Sequence, residues 1–135
     1  MLNRALIALT IIGVLFLLLK LMRVRQLSSA QRAATSTTKS NESQLLYFSS
    51  AVCAQCLGQE EILNQVFADA EYQGIILKKF SIEDAPELVQ RWGVKTIPTT
   101  ILLSNTAQVV EFNNGLISSS DLLSQLQRLT KSSVG

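Results

Sequence analysis

The sequence predicts an α/β domain with elements in the order β-α-β-α-β-β-α, forming a mixed sheet flanked by helices and preceded by a single transmembrane helix. Three observations carry this reading. An uncharged apolar run lies near the N-terminus, a polar stretch without hydrophobic period follows it, and from residue 44 short apolar runs alternate with segments at helical spacing. The 135 residues accommodate one folded domain besides these leading segments.

From Ala5 to Leu19 the chain reads ALIALTIIGVLFLLL, and Leu21 and Met22 extend the run past Lys20, whose aliphatic stem can snorkel. That is roughly 18 residues, about the minimum for a bilayer-spanning helix. No polar face fits it to a soluble core. A cleaved signal peptide has a similar apolar stretch, but Lys20, Arg23 and Arg25 follow where cleavage needs small neutral residues. Residues 1–25 therefore read as an uncleaved anchor with a basic flank, contacting membrane lipid through residues 2–25 and giving a single-pass protein of the cell membrane. Only Arg4 and the α-amino group precede the apolar run, whereas Lys20, Arg23, Arg25, Arg32 and Lys39 follow it. The positive-inside rule then favours a cytoplasmic domain. The opposite face is left open, because the margin of charge is small.

Residues 26–43, QLSSAQRAATSTTKSNES, form a Ser/Thr-rich flexible linker. As a random coil such a linker spans about 23 Å. Residues 44–135 make up the folded domain. Leu45-Leu46-Tyr47-Phe48 suits a buried strand. Ile62, Leu63, Val66, Phe67 and Ala70 recur at helical spacing, in a helix of about four turns beginning near two cysteines. Gly74 introduces a second strand, Ile75-Ile76-Leu77, continuing towards Ile82 and parallel to the first through a right-handed crossover. Pro86 opens a short helix ending at Trp92, with Asp84 or Ala85 as its cap and Gly93 as its terminator. Thr99 to Leu103 and Gln108 to Phe112 read as strands joined by a turn at Ser104-Asn105-Thr106. Leu122, Leu123, Leu126 and Leu129 stripe a last helix, capped between Ser118 and Ser120.

Composition excludes several functions. The net charge of +2, concentrated beside the apolar run, argues against a nucleic-acid partner. With no histidine in the chain, Ser-His-Asp and Cys-His catalysis, histidine metal clusters and Cys-x-x-Cys-His haem attachment are all ruled out.

The chemistry then falls to Cys53-Ala54-Gln55-Cys56, the chain's two cysteines, placed where the first strand gives way to the first helix. A sulfur at a helix N-terminus faces unpaired backbone N–H groups and the positive end of the dipole, which favours its thiolate. A spacing of three puts the second sulfur one turn on, within reach of a disulfide. Cys53 is the expected attacking thiol and Cys56 the more buried, resolving one. The same motif is half of a zinc site, but two sulfurs without histidine do not make up the usual four ligands, so no metal is assigned. A second feature is Pro98, at the mouth of an apolar strand where it cannot donate a ladder hydrogen bond.

Taken together, these two features resemble the thioredoxin family, whose pattern is a strand, CxxC, a long helix, and later an aromatic-Gly-Val segment leading to Ile-Pro-Thr before a strand. The matching residues are Leu45–Ser50, Cys53–Cys56, Trp92-Gly93-Val94 and Ile97-Pro98-Thr99, within a resemblance covering residues 44–131. It implies a minimal thioredoxin-like fold, a cis bond before Pro98, and Pro98 lying beside the cysteines. It also implies that Ile97 offers its backbone to an extended substrate, with Val52, Ala54 and Gln55 completing the contact surface. The chain departs from the family at Val52, where Trp is usual, and at Ala54-Gln55, where Gly-Pro is usual. Tyr47 stands at the position of the family's buried acid, which helps deprotonate the resolving thiol. Glu61 replaces the kink proline, the leading β-α unit is missing, and Lys79 matches a lysine near the family's site.

Without a cation between the cysteines the Cys53 thiolate is not over-stabilised, which favours a reductase over an oxidase or isomerase. The expected partners are disulfide-containing proteins and an electron donor that the sequence does not identify, with no cofactor. The rival reading is a redox-inert peptide- or metal-binding module on the same fold.

Overall fold

The computed structural model describes residues 11–22 and 42–132. Residues 11–22 form a helix, α1, whose apolar side chains from Ile11 to Met22 are all 50–70% exposed. The rest of the expected anchor and nearly all of the expected linker lie outside the described residues. Among the described residues no helix is long and apolar enough to cross a membrane.

The domain runs β1 (Gln44–Ser49), α2 (Ala54–Phe67), a 3-10 turn (Ala70–Tyr72), β2 (Ile76–Ser81), α3 (Pro86–Trp92), β3 (Thr99–Leu103), β4 (Val109–Asn114) and α4 (Ser119–Ser132). The strands form one mixed sheet in the order β2-β1-β3-β4. β1 is parallel to β2 and antiparallel to β3, and β3 is antiparallel to β4. A strand covered on both faces must be apolar at successive positions rather than alternating ones. That is why β1 carries the unbroken run Leu45 to Phe48, every member of it buried.

Alternation along the strands then sorts side chains into two cores. Leu45, Tyr47 and Leu102 face α2 and α4, packing with Leu63 and Val66 and with Leu122, Leu126 and Leu129. On the other face Leu46, Phe48, Ile101 and Leu103 form a cluster with Trp92 of α3, and Leu88 and Val89 of the same helix lie against that cluster. The Phe48 and Phe80 rings stack there with centroids 5.3 Å apart. The helices thus cover both faces of the sheet.

Local chemistry sets the ends of the elements. Gly93, in the left-handed conformation at φ 66°, closes α3. The Val94 N–H reaches the Val89 carbonyl at 3.0 Å and the Gly93 N–H reaches that of Gln90 at 3.1 Å, a Schellman ending. At the start of α3, Ala85 is the cap residue with Pro86 behind it, and no side chain caps the helix. The Ser118 hydroxyl accepts the Asp121 N–H at 3.1 Å, fixing the entry to α4.

Two boundaries differ from the sequence reading. The first long helix stops at Phe67, because the Asp69 carboxylate accepts the Glu71 N–H at 3.1 Å and starts a separate 3-10 turn. Ala70 is consequently exposed, and Tyr72 takes the buried place. β4 begins one residue later than expected and runs on through Asn113 and Asn114, residues that favour turns. Asn113 is held there by a reciprocal amide pair with Gln125 of α4, at 2.9 and 3.0 Å, and by donation to the Thr100 hydroxyl at 3.1 Å.

Leu126 is fully buried between α4 and the sheet, whereas Leu57 is 66% exposed. Leu126→Ala is expected to cost about 2–5 kcal/mol in urea unfolding through the cavity it leaves. Leu57→Ala is expected to stay within about 0.5 kcal/mol.

Candidate active site

The sheet register gathers the sequence-predicted residues at one end. β1 runs towards its end at Ser49, after which Ser50 to Cys53 lead into α2. Phe48 pairs with Thr99, so Pro98 stands level with Ser49 at the edge from which the cysteine loop leaves. Thr99 pairs with Asn114, and Ser49 with Ser81, which brings Gly115 and Glu83 to the same end. Open sheets of this kind place their sites beyond the carboxyl ends of parallel strands, and in this domain β1 and β2 supply them.

Cys53 is the N-cap residue of α2. Its N–H is bound to the Ser50 carbonyl at 3.2 Å, and its sulfur accepts the Cys56 N–H at 3.2 Å. The sulfur therefore occupies the place of a capping oxygen, against the unpaired N–H groups of the first turn. Cys53 and Cys56 are joined in a disulfide with their Cα atoms 5.2 Å apart. Cys53 is half-buried, while Cys56 is 3% exposed, the asymmetry expected from their order along the helix.

The other sequence-predicted contacts divide by exposure. Val52 is 94% exposed, and Ala54 and Gln55 are exposed beside it. Ile97 is half-buried and Pro98 buried, with a cis bond between them. The Pro98 carbonyl accepts the Gly115 N–H at 2.7 Å, tying the β4–α4 loop to the site. Gly115 has φ 90°, a conformation open to glycine at little cost. Leu116, 50% exposed, follows it.

Tyr47 lies beneath the pair, 1% exposed, and its hydroxyl donates to the Cys56 carbonyl at 2.7 Å. Burial raises its phenol above the ordinary value of 10.0, opposed by a hydrogen bond with Ser49 and reinforced by the charge of Glu60. Tyr47 thus stays protonated and acts as a donor to the backbone, not as a base. Lys79 is drawn to the outside of α2, with Nζ 2.7 Å from Glu60 Oε1 and 3.0 Å from Asn64 Oδ1. Such an exposed pair contributes about 0–1 kcal/mol.

Two positions carry weight that the sequence reading passed over. Ser50 donates to Glu83 Oε1 and accepts the Val52 N–H at 3.4 Å, while Ser81 donates to Glu83 Oε2 at 2.5 Å. Glu83 thereby braces the cysteine loop from the β2–α3 loop, a contact across 33 residues that no local pattern announces. Gln59 is the other. It is 0% exposed, and its Oε1 accepts the Ile117 N–H at 2.8 Å. The signal for it was present, since Cys56, Gln59, Leu63 and Val66 fall on one face of α2 and only Gln59 in that row is an amide.

The family model for thioredoxin matches residues 26–128, and the chain belongs to the thioredoxin family. Among solved structures it is similar to a thioredoxin-2 described as a component of the malaria parasite protein secretion machinery. The two share 26% identity at a TM-score of 0.60, over 64% of this chain and 82% of that one. A structure described as that of a malarial protein matches at 26% identity and a TM-score of 0.59, over 65% of this chain and 97% of that one. Thioredoxin NaTrxh from Nicotiana alata shares the fold at 22% identity and a TM-score of 0.61, over 73% of this chain and 83% of that one. No curated protein matches the chain by sequence. Family membership together with the Cys53–Cys56 pair supports thiol–disulfide oxidoreductase activity, in a family that acts on disulfide-containing proteins.

The hydroxyls of Ser50 and Ser81 and its own backbone N–H hold the Glu83 carboxyl below its ordinary value of 4.5. A carboxyl with a depressed folded value adds stability above its unfolded value and loses it as pH falls through the folded one. Glu83→Gln is therefore expected to flatten the acid limb of a stability profile and to leave its neutral limb parallel to that of the parent. The check is urea unfolding followed from neutral pH to below 4.5, the ordinary value of this carboxyl.

Proposed function

We propose that this protein reduces disulfides in other proteins by dithiol–disulfide exchange while held at a membrane by its N-terminal apolar segment. The observation that carries the reading is the asymmetry of the pair. Cys53 sits half-buried at the cap of α2, and Cys56 lies buried one turn further in. Cys53 attacks the substrate disulfide, and Cys56 then displaces the substrate sulfur from Cys53. An extended substrate segment lies over Val52, Ala54 and Gln55 and against Ile97 and Pro98. The reductive direction is supported by Ala54-Gln55, which places no cation beside the Cys53 thiolate. A thiol-based electron donor returns the pair to its dithiol state, and no cofactor is needed.

Trapping tests the assignment of roles. Cys56→Ser is expected to accumulate a covalent complex with substrate through Cys53, and Cys53→Ser to accumulate none. Both variants are expected to lose insulin reduction. Equal trapping by the two variants would overturn the division into attacking and resolving thiols.

Membrane attachment is supported by the uncharged run from Ala5 to Leu19 and by the exposure of every large apolar side chain of α1. The excess of Lys and Arg after that run supports a domain on the cytoplasmic side. A C-terminal reporter that works only in the cytoplasm is expected to be active on the full chain. Activity of a reporter that works only outside would place the domain on the opposite face.

A further inference from the structure

One buried polar group of α2 is left without a partner. Gln59 is 0% exposed, its Oε1 accepts the Ile117 N–H at 2.8 Å, and its Nε2 has no hydrogen-bond partner among the described residues. Only an oxygen can accept that N–H, so the orientation of the amide is fixed and the NH2 end is the one left over. A buried donor without an acceptor is costly, and such groups in folded proteins are uncommon enough to require a reason.

Gln59 follows Cys56 by three positions in α2, so the two side chains share one face of the helix on successive turns. Both are buried. In the oxidised form the Cys56 sulfur is bonded to Cys53 and carries no charge. The proposed reaction creates a charge there. In the resolving step the Cys56 thiol loses its proton to solvent, and its thiolate attacks the Cys53 sulfur of the mixed disulfide. The Cys53–Cys56 bond forms, the bond from Cys53 to the substrate sulfur breaks, and that sulfur leaves as a thiolate that takes up a proton. Over the full exchange two electrons pass from the protein's thiols to the substrate disulfide.

A thiolate at Cys56 is a charged acceptor, stronger than the disulfide sulfur of the oxidised form, and this step requires it. Tyr47 does not meet it, because its hydroxyl is committed to the Cys56 carbonyl at 2.7 Å. Glu60, the next residue of α2 after Gln59, acts on Tyr47 through its charge, and Lys79 is paired with Glu60 on the outer surface. We propose that the free N–H of Gln59 Nε2 donates to the Cys56 thiolate and so raises the fraction of Cys56 ionised for the resolving step. The proposal rests on the oxidoreductase reading above. A neutral amide stabilises the charge without accepting the proton, so it adds no titration of its own.

The test uses the full chain in detergent with Cys53→Ser, leaving Cys56 as the lone thiol, and follows thiolate ultraviolet absorbance against pH. Gln59→Met is expected to hold about tenfold less thiolate at a given pH, the effect of losing one hydrogen bond to a charged group. A second reading needs no change at Gln59: the side-chain NH2 resonance of Gln59 is followed through the same pH range in the 15N-labelled Cys53→Ser chain, and it is expected to shift with the Cys56 titration. That reading decides the matter if Gln59→Met does not fold. A Cys56 titration unmoved in folded Gln59→Met, whatever happens to its melting temperature, or a Gln59 NH2 resonance that ignores the Cys56 titration, would overturn the proposal and leave Gln59 as a tether for the loop. The titration needs no turnover, so failure of the parent chain to reduce insulin would count against the function and not against this role.

Discussion

The pairing of β1 with a strand on each side is the constraint from which the site follows. Held parallel to β2 and antiparallel to β3, β1 fixes the level at which the chain turns into α2. It also fixes which residues of the neighbouring strands stand beside that turn. Pro98, Gly115 and Glu83 come from three separate parts of the chain and reach one end of the sheet through register alone. A slip of one residue in β1 would exchange its two faces, sending Leu45 and Tyr47 to the α3 side and breaking both cores at once. The positions of the cysteines are thus specified by the same burial that stabilises the domain.

Polar chemistry is built into that burial at few places, each joining two elements. Tyr47 ties β1 to the first turn of α2 through the Cys56 carbonyl. Asn113 and Gln125 tie β4 to α4. Gln59 ties α2 to the loop after β4. Buried hydrogen bonds of this kind add little net stability, but breaking one strands its partner, which makes each of them a strong constraint on geometry. The cap of α2 is of the same nature, except that sulfur takes the place of oxygen and the capping atom is one half of the disulfide.

Much of the fold was legible because it rests on patterns that repeat over short distances. The apolar run in β1, the leucine stripe of α4, Pro86 and Gly93 at the ends of α3, and the strand-to-helix position of Cys53 were all readable from local spacing. What escaped was non-local. The brace from Glu83 to Ser50 spans 33 residues. Asn113 sits in a strand only because Gln125 and Thr100 meet its amide. Gln59 could have been found, because helical spacing places it in the buried row with Cys56, but a lone amide among apolar residues states no purpose until its partners are seen. The early end of α2 was decided by one carboxylate, Asp69, competing for a backbone N–H.

Among the described residues β2 is an outermost strand of the sheet, and its two central residues are Lys78 and Lys79, both exposed. A strand with one unpaired edge offers its backbone to any other extended chain, and lysines on it oppose such pairing by charge and bulk. On the proposed function, extended polypeptides are held at one end of the sheet and not along this flank. Lys78, with Lys79 beside it, gives that edge the charge and bulk that disfavour the zipping of copies edge to edge into fibres.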